Sequence, residues 1–224
     1  MTLTIHDVEQ GSQRWLDLRC GLLTASTIGK LLTPTGKIAD NDTARGLMQT
    51  LIAERISGHV EYVHPSFDMQ RGTLDEPYAR ELYAENYAPV EEVGFGTLDV
   101  DGYTLGASPD GLVGDKGGLE VKSRVPKVQL RTFLEDRVPP ANLAQVHACM
   151  FVFDREWWDY CSYSGGWPLF VKRVYRDEKW DAAIVAALNA YEQQAADIIA
   201  AYTTATAGRP VAERVDHFAD MELS

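Results

Sequence analysis

Two short stretches joined by a glycine-rich turn decide the fold of this chain: SPDG at residues 108–111 and GGLEVKS at residues 117–123. Side chains alternate between the two faces of a β-strand, so Glu120 and Lys122 share one face and the residue between them points the other way. If the turn folds the chain back on itself, the Asp110 carboxylate comes alongside Glu120. The spacing therefore predicts a hairpin that gathers two acids and a lysine.

Such a hairpin has the ligands of an open magnesium site. Two carboxylates and a backbone carbonyl, here Asp110, Glu120 and the carbonyl of Val121, leave positions for water and for phosphate oxygens on Mg²⁺. Lys122 would hold or polarise the attacking water, and its charge would offset the anionic transition state. The pattern is weak by itself, and an exposed cross-strand charge pair on a solvated hairpin is the alternative.

Composition places the chain among ordinary globular proteins. It has 224 residues, 45% of them hydrophobic and 24% charged, which predicts one domain with a full core. Its three cysteines are scattered and form no C-x-x-C pair, so we expect neither a disulfide framework nor a four-cysteine metal site. The first residues show no signal-peptide pattern, and no run of 18 apolar residues occurs. We therefore expect a cytoplasmic protein without a membrane span.

The charge is unevenly distributed along the chain. There are 21 Lys and Arg against 33 Asp and Glu, a formal net charge of −12, which first suggests a protein that nucleic acid would avoid. Residues 61–120 carry 3 basic and 13 acidic residues, whereas residues 121–180 carry 10 and 7. A carboxylate-rich centre bordered by cations suits a metal site that acts on a polyanion. Two solvated faces of opposite sign are the alternative.

Apolar residues at intervals of three and four predict helices along much of the chain. Thr24 or Ser26 would cap the second helix and Asp42 the third, while Gly72 and Pro77 should weaken or kink the first half of the fourth. The predicted helices are residues 12–20, a short second helix, 42–56, 69–87, 127–137, 141–153 and 181 to about 203.

Alternating apolar residues predict strands in the second half of the chain, at residues 93–100, 103–107, 119–123, 157–163 and 169–175. The first three would form a meander, with an Asp101-Gly102 turn between the first two. The sequence has no internal repeat. A single α/β or α+β domain, with helices packed around a mixed sheet, fits this order of elements.

Four groups of residues, in chain order, resemble the motifs of one nuclease family. They are Gln10-Gly11-Ser12 with Trp15, Arg19 and GLLTAS at 21–26; Arg71-Gly72, Glu76-Pro77 and Ala79-Arg80; SPDG at 108–111 with GLEVK at 118–122; and AQVH at 144–147. Together they resemble the lambda-exonuclease or YqaJ-like viral recombinases, within the restriction-endonuclease-like, PD-(D/E)xK nuclease superfamily.

The resemblance implies a fold and a set of active-site residues. The fold would be a restriction-endonuclease-like core, a central mixed β-sheet flanked by helices, in one domain over residues 1–224. Its N-terminal helices would lie within 12–60, the nuclease core within about 67–176 and the C-terminal helix at about 178–205. Asp110, Glu120, the Val121 carbonyl and Glu76, from the kinked helix, would bind the metal. Lys122 would be the catalytic lysine, and Gln145 would orient the site.

The resemblance also implies contacts to the end of a DNA strand, through Arg19, Ser26, Thr24 and Met69. Arg19, Ser26 and Thr24 would form a pocket for a 5′-terminal phosphate, because arginine forks onto phosphate oxygens and hydroxyls can donate to them. Met69 occupies the place of an apolar wedge between bases. The alternatives are an ion pair of Arg19 with Asp17 or Glu9, a helix cap at Ser26, and core packing for the methionine.

Two features have no settled role. His147 stands where the family typically has a second glutamine, and it is either a metal ligand or, more often in such positions, a hydrogen-bonded helix residue. An aromatic cluster on one predicted strand could stack on bases, although core packing is the commoner role. Its members are Trp157, Trp158, Tyr160 and Tyr163.

By resemblance, the protein is expected to be a Mg²⁺-dependent exonuclease, with Mn²⁺ able to substitute, that degrades duplex DNA from 5′ ends and leaves a 3′ single strand for annealing. A ring-shaped homotrimer, a phage-type single-strand annealing protein as partner, and a phage or prophage origin in a bacterial cytoplasm are implied too. The alternatives are a restriction or repair endonuclease of the same superfamily and a non-catalytic DNA-binding module. The module would have lost Asp110, Glu120 or Lys122, and all three are present.

Overall fold

The structure, a computed structural model, describes residues 1–61 and 63–215. Residues 216–224, the end of the predicted 1–224 domain, lie outside the described residues. The helices in the described part are α1 (Gln13–Arg19), α2 (Ala25–Ile28), α3 (Asp42–Ser57), α4 (Phe67–Asn86), α5 (Pro126–Glu135), α6 (Pro140–Phe153) and α7 (Glu178–Thr206). The strands are β1 (Thr2–His6), β2 (Phe95–Val100), β3 (Tyr103–Ala107), β4 (Gly111–Val113), β5 (Gly117–Ser123), β6 (Trp157–Tyr163) and β7 (Phe170–Tyr175).

The strands form two sheets rather than one. A three-stranded antiparallel sheet has the order β1-β2-β3, and a four-stranded mixed sheet has the order β4-β5-β6-β7 with β5 and β6 parallel. The expected α+β class with a mixed sheet flanked by helices is confirmed. The predicted meander is wrong, because β5 does not follow β3 in the same sheet. Pro109, which has no N–H to donate to a ladder, lies where the chain passes from one sheet to the other.

The sequence analysis did not identify β1, which pairs antiparallel with β2 at the edge of the three-stranded sheet. Its sequence, TLTIH, does alternate apolar and polar residues. Leu3 and Ile5 remain 36% and 50% exposed, so the strand buries little apolar surface. Pairing with β2, rather than burial, fixes its place.

One predicted helix cap needs correction. Asn41, not Asp42, is the N-cap of α3, and its side-chain oxygen accepts a hydrogen bond of 2.9 Å from the Ala44 N–H. Helix α4, which Gly72 and Pro77 were expected to weaken or kink, continues through both residues. Its later half is fixed by packing, because Ala79 and Tyr83 are fully buried against the four-stranded sheet. Tertiary packing thus outweighs the hydrogen bond that Pro77 cannot make.

Two groups of buried side chains hold these elements together. The larger surrounds α6 and draws residues from all parts of the chain between Leu23 and Ala195. The smaller lies between α4 and the four-stranded sheet, and it contains Ala79, Tyr83, Val113, Leu119, Val121 and Cys161. By packing α4 on this sheet, the smaller group brings Glu76 towards β5.

The aromatic cluster of β6 belongs to the packing of the protein. Trp158 and Tyr160 are fully buried, and Trp157 lies under the Arg173 guanidinium, 3.5 Å from its carbon to the ring centre. The glycines opposite them are required, since a Cβ on Gly118 would lie 2.2 Å from the Trp158 ring. The expectation that these aromatics stack on bases is therefore wrong for the buried pair.

Cys20, Cys149 and Cys161 are free thiols. Within residues 1–61 and 63–215, no helix is both long enough and apolar enough to cross a bilayer.

His147 faces α7, where its ring stacks on Trp180 with 4.9 Å between ring centres and 9° between ring planes. The side chain is 4% exposed, and its Nδ1 has no hydrogen-bond partner in the described part of the chain. Burial lowers the pKa of His147 to about 4, against the opposing effect of Asp177 and Asp181. His147 is therefore a neutral packing residue at neutral pH.

We expect His147→Phe to make the protein less sensitive to acid. Because the folded pKa lies below the ordinary value of 6.5, the unfolded chain binds the extra proton first as the pH falls from 6.5 towards 4. The histidine should thus cost the native protein about 2 kcal/mol at pH 5 relative to pH 7.5. Urea unfolding at both pH values measures this difference. An equal loss of stability in the wild type and the Phe variant would contradict the assignment.

Candidate active site

The hairpin of β4 and β5 brings the predicted acids and lysine together. The Asp110 carboxylate accepts a hydrogen bond of 2.6 Å from the Val121 N–H, and the Lys122 ammonium forms an ion pair with Glu120 Oε1. Glu120 is completely buried, whereas the Lys122 side chain is 28% exposed. The alternative of an exposed charge pair on a solvated hairpin is therefore wrong.

The Glu120 carboxylate has few donors. The Lys122 ammonium pairs with its Oε1, and its Oε2 has no hydrogen-bond partner in the described part of the chain. A buried carboxylate with an oxygen that lacks a donor is costly, so a bound cation would suit it. The Val121 carbonyl points to the same strand edge as its N–H, which is the edge where Asp110 lies.

These groups fit an open metal site rather than a closed cage. Among the described residues, no three His, Cys, Asp or Glu side chains gather closely enough to enclose a metal ion. Two carboxylates and one carbonyl are still a suitable set for Mg²⁺, which retains several waters and binds through few protein ligands.

The electrostatics of the site are those of crowded acids beside one cation. Burial, and then repulsion from Glu120 and Glu76, raise the pKa of Asp110 well above its usual range. Burial also raises the pKa of Glu120, although Lys122 opposes this. Burial alone would lower the pKa of Lys122, but the Glu120 and Asp110 carboxylates outweigh it and raise that pKa. Lys122 therefore stays protonated and serves as a cation rather than a base.

Arg80 ties the helix residue Glu76 to the hairpin. Its guanidinium donates to Glu76 Oε1 at 2.8 Å and to the Asp110 backbone carbonyl at 3.0 Å, and it forms an ion pair with Glu92 at 2.7 Å. The sequence analysis included Arg80 in a motif without giving it a role. The i, i+4 spacing from Glu76 on a helix was the available signal.

A groove of about 530 Å³ passes over this hairpin. Most of the predicted site residues line it, namely Arg19, Ser26, Met69, Glu76, Asp110, Val121, Lys122 and Gln145. Glu120 lies beneath its floor. Thr24 is 1% exposed and lies behind the wall, where its hydroxyl is 3.1 Å from the Ser26 hydroxyl. Thr24 therefore supports the pocket rather than facing the groove.

Arg19 has no carboxylate partner in the described part of the chain. Its Nη2 lies 3.3 Å from the Ser26 hydroxyl and 3.5 Å from the Thr24 hydroxyl, and its guanidinium carbon lies 4.1 Å from the centre of the Trp15 ring. Burial lowers its pKa to about 10, against an opposing effect of Glu54. A partly buried cation held by hydroxyls and an aromatic face is ready to accept an anion.

Arg19 and Ser26 do not take the alternative roles of a surface ion pair and a helix cap. Asp17 accepts a hydrogen bond from Gln13 instead of pairing with Arg19. Thr24, not Ser26, is the N-cap of α2, and Ser26 is exposed. A surface ion pair for Arg19 and a capping role for Ser26 are therefore both wrong.

Met69 and Gln145 both line the groove. Met69, in the first turn of α4, is 56% exposed, so it is not a core residue. Gln145 is half-buried on α6. His147, two residues further, packs against α7 and does not line the groove. The second-glutamine position therefore adds nothing to this surface.

Two arginines add positive charge to the rim of the groove. Arg71 donates to the Ser123 hydroxyl at 3.0 Å and pairs with Asp68 at 2.7 Å, and Arg124 donates to Asn142 at 2.8 Å and to the Tyr160 hydroxyl at 3.1 Å. The sequence analysis included Arg71 in a motif without a role and did not single out Arg124. Apart from Asp68, their partners come from distant elements, so local spacing could not reveal them.

Solved structures of exonucleases are similar to this chain. An alkaline exonuclease, LHK-Exo, from Laribacter hongkongensis matches with a TM-score of 0.77 and 30% identity, over 88% of this chain and 98% of that one. The same exonuclease in complex with dAMP matches equally well. A phage-related exonuclease from Haemophilus somnus 129PT matches at 0.55 with 13% identity, over 79% and 96% of the two chains, and shows the fold alone.

The model of the YqaJ-like viral recombinase domain matches residues 14–156. The chain belongs to this family, and it is a nuclease. No curated protein sequence matches the chain significantly.

We expect Arg80→Ala to lower nuclease turnover roughly 10- to 100-fold, because Glu76 and the Asp110 loop lose the group that holds them together. Arg80→Lys keeps the charge but should retain only part of the activity, because one ammonium cannot serve all three acceptors in the same geometry. Steady-state digestion of linear duplex DNA, with thermal unfolding of each variant, measures this. Arg45→Ala, which removes an exposed ion pair on α3, is the matched control. Equal turnover in the Arg80 and Arg45 variants would refute the role.

Proposed function

We propose that the protein is a Mg²⁺-dependent exonuclease that degrades one strand of duplex DNA from its 5′ end and leaves a 3′ single strand for recombination by annealing. One observation carries this proposal. A single groove is lined by Arg19, which has no carboxylate partner among the described residues, and by Asp110 and Lys122, with Glu120 buried beneath them.

The residues present would divide the hydrolysis of a phosphodiester between them. A bound Mg²⁺, held by Asp110, Glu120 and the Val121 carbonyl, supplies Lewis-acid activation of water and of the phosphate. Lys122 remains protonated, so it positions the attacking water and offsets the charge that develops on the phosphate oxygens. Glu76, fixed by Arg80, supports the ligand set from α4.

The 5′ polarity is inferred from membership in the family, and the chemistry of the Arg19 pocket supports it. A terminal phosphate monoester carries more charge than an internal diester, and an arginine with neighbouring hydroxyls binds it by charge-assisted hydrogen bonds. If the pocket holds a 5′ phosphate, cleavage at the floor removes nucleotides from that end. Met69, exposed beside the groove, would then contact the bases where the duplex opens.

Net charge sets how this enzyme would hold its substrate. The acidic chain offers few cations for the DNA backbone, so affinity for internal duplex should be modest and should depend on divalent metal. A ring-shaped homotrimer around the DNA would keep such an enzyme bound to its substrate between cleavage steps. We infer this assembly, a phage-type single-strand annealing protein as partner and a bacterial cytoplasmic location from membership in the family.

The test is digestion of linear duplex DNA labelled separately at each 5′ and 3′ end, with and without a 5′ phosphate, in Mg²⁺, Mn²⁺ or EDTA. We expect early release of the 5′ label only, faster from phosphorylated ends, and no release in EDTA. Lys122→Ala should reduce the rate roughly 100- to 1,000-fold at a temperature where the variant is folded and still binds duplex DNA. Its thermal unfolding midpoint should fall, because the buried Glu120 loses its cation.

Other outcomes of this experiment point elsewhere. Cleavage of closed circular DNA would identify an endonuclease, and binding without cleavage would identify a non-catalytic module. Early loss of the 3′ label would reverse the polarity. Full activity of Lys122→Ala would refute the assigned active site.

Arg19→Ala should reduce the preference for 5′-phosphorylated over 5′-hydroxyl ends by about tenfold, the usual worth of a charge-assisted hydrogen bond. The ratio of initial rates on the two substrates measures it, and overall stability cancels from that ratio. Arg14→Ala removes the same charge from an exposed position on α1 and should leave the ratio unchanged. An unaltered ratio in Arg19→Ala would exclude Arg19 from the phosphate pocket.

A further inference from the structure

Trp15 connects the arginine pocket to the hairpin. Its indole N–H donates a hydrogen bond of 3.1 Å to the Ser108 hydroxyl, and the face of its ring lies against the Arg19 guanidinium. Ser108 is two residues before Asp110. One aromatic side chain therefore contacts both the candidate phosphate site and the segment that carries a candidate metal ligand.

Trp15 and Ser108 also lie between two cavities. The groove of about 530 Å³ lies on one side, and a second cavity of about 440 Å³ lies on the other. Five residues line both spaces and so form the wall between them: Gln10, Trp15, Glu76, Ser108 and Asp110. The bond between Trp15 and Ser108 joins the α1 side of this wall to the hairpin side.

The second cavity is unsuited to a nucleic acid strand. Three acidic residues line it: Asp7, Glu9 and Glu92. Arg80 lines it too, but its guanidinium is already paired with Glu76 and Glu92. Like charges disfavour entry of a phosphate backbone. A strand that reaches the wall would meet both a steric and an electrostatic barrier.

We propose that Trp15 and Ser108 are positioning residues that form an end stop and so set the length of the released product. The inference rests on the proposed function, in which the terminal phosphate sits at Arg19 and hydrolysis occurs at the hairpin. Trp15 contacts Arg19 and is hydrogen-bonded to Ser108, two residues before Asp110. The distance between the phosphate site at Arg19 and the hairpin at Asp110 is therefore fixed. The number of nucleotides between them is then fixed as well.

The experiment measures product length rather than rate. Duplex DNA with a 5′ phosphate is digested in Mg²⁺, and the released fragments are sized by mass spectrometry. The wild type should release one length. Ser108→Ala removes the acceptor, and Trp15→Phe keeps an aromatic face over Arg19 but removes the N–H. Each should raise the share of longer fragments about fivefold, as expected for one lost hydrogen bond.

A double variant separates the end stop from independent effects. If both residues act through their shared bond, Trp15→Phe/Ser108→Ala should give the same length distribution as either single variant. If Ser108 acted on the substrate by itself, Trp15→Phe would retain the wild-type distribution, which overturns the proposal. Gln13→Ala, an exposed change on α1, is the control and should leave the length unchanged.

Failure of the two proposals can be distinguished in the same reactions. A wild-type digestion rate that is the same with and without a 5′ phosphate contradicts the proposed polarity. A wild-type digest that depends on the phosphate, with one unchanged product length in all three variants, contradicts the end stop alone. Loss of stability in a variant would lower the amount of product without lengthening it, so it cannot imitate the expected result.

Discussion

Glu120 is buried beside β6, where the Lys122 ammonium pairs with its Oε1 and its Oε2 has no hydrogen-bond donor from the described residues. An unsatisfied buried polar group costs about 1–3 kcal/mol, and a charged one costs more. The fold retains this arrangement because the strand around it is well packed, with Leu119 and Val121 in the apolar group under α4. Stability is thus given up at one position to keep two acids and a cation in fixed geometry, as active sites commonly require.

Many of the protein's arginines form ion pairs with its own carboxylates. Arg55 with Glu192 joins elements distant in sequence, and Arg173 with Asp159 joins two paired strands. Arg80 with Glu76, on one helix, and Arg176 with Asp181 are local pairs. Cations used in this way are not available to a DNA backbone. Arg19, without such a partner in the described part of the chain, is therefore the more informative residue for substrate binding.

The sequence predicted the candidate active site more accurately than it predicted how the strands are arranged in sheets. Strand alternation and the glycine turn sufficed to place Asp110 beside Val121 and Glu120 beside Lys122, because a hairpin is a local structure. The change of sheet at Pro109 and the edge strand β1 depend on pairing between distant residues, which periodicity cannot show. Packing of Ala79 and Tyr83 likewise holds α4 together past Pro77, which local propensity cannot show. The family resemblance, rather than spacing, linked Arg19 to the hairpin.

The conformation of the loop between Arg19 and Thr24 depends on the far end of the chain. Gly21, in the left-handed region at φ +64°, donates its N–H to Glu54, and its carbonyl accepts from Arg55 at 2.7 Å and from the Tyr191 hydroxyl at 3.0 Å. Arg55 in turn holds Glu192 of α7 through two hydrogen bonds of 2.6 Å. A side chain on Gly21 would collide with Arg55 and the Leu51 carbonyl, so this close approach needs glycine. The arginine pocket is therefore built by α3 and α7 as much as by its own short helices, and a change in α7 can alter it without touching a residue of the site.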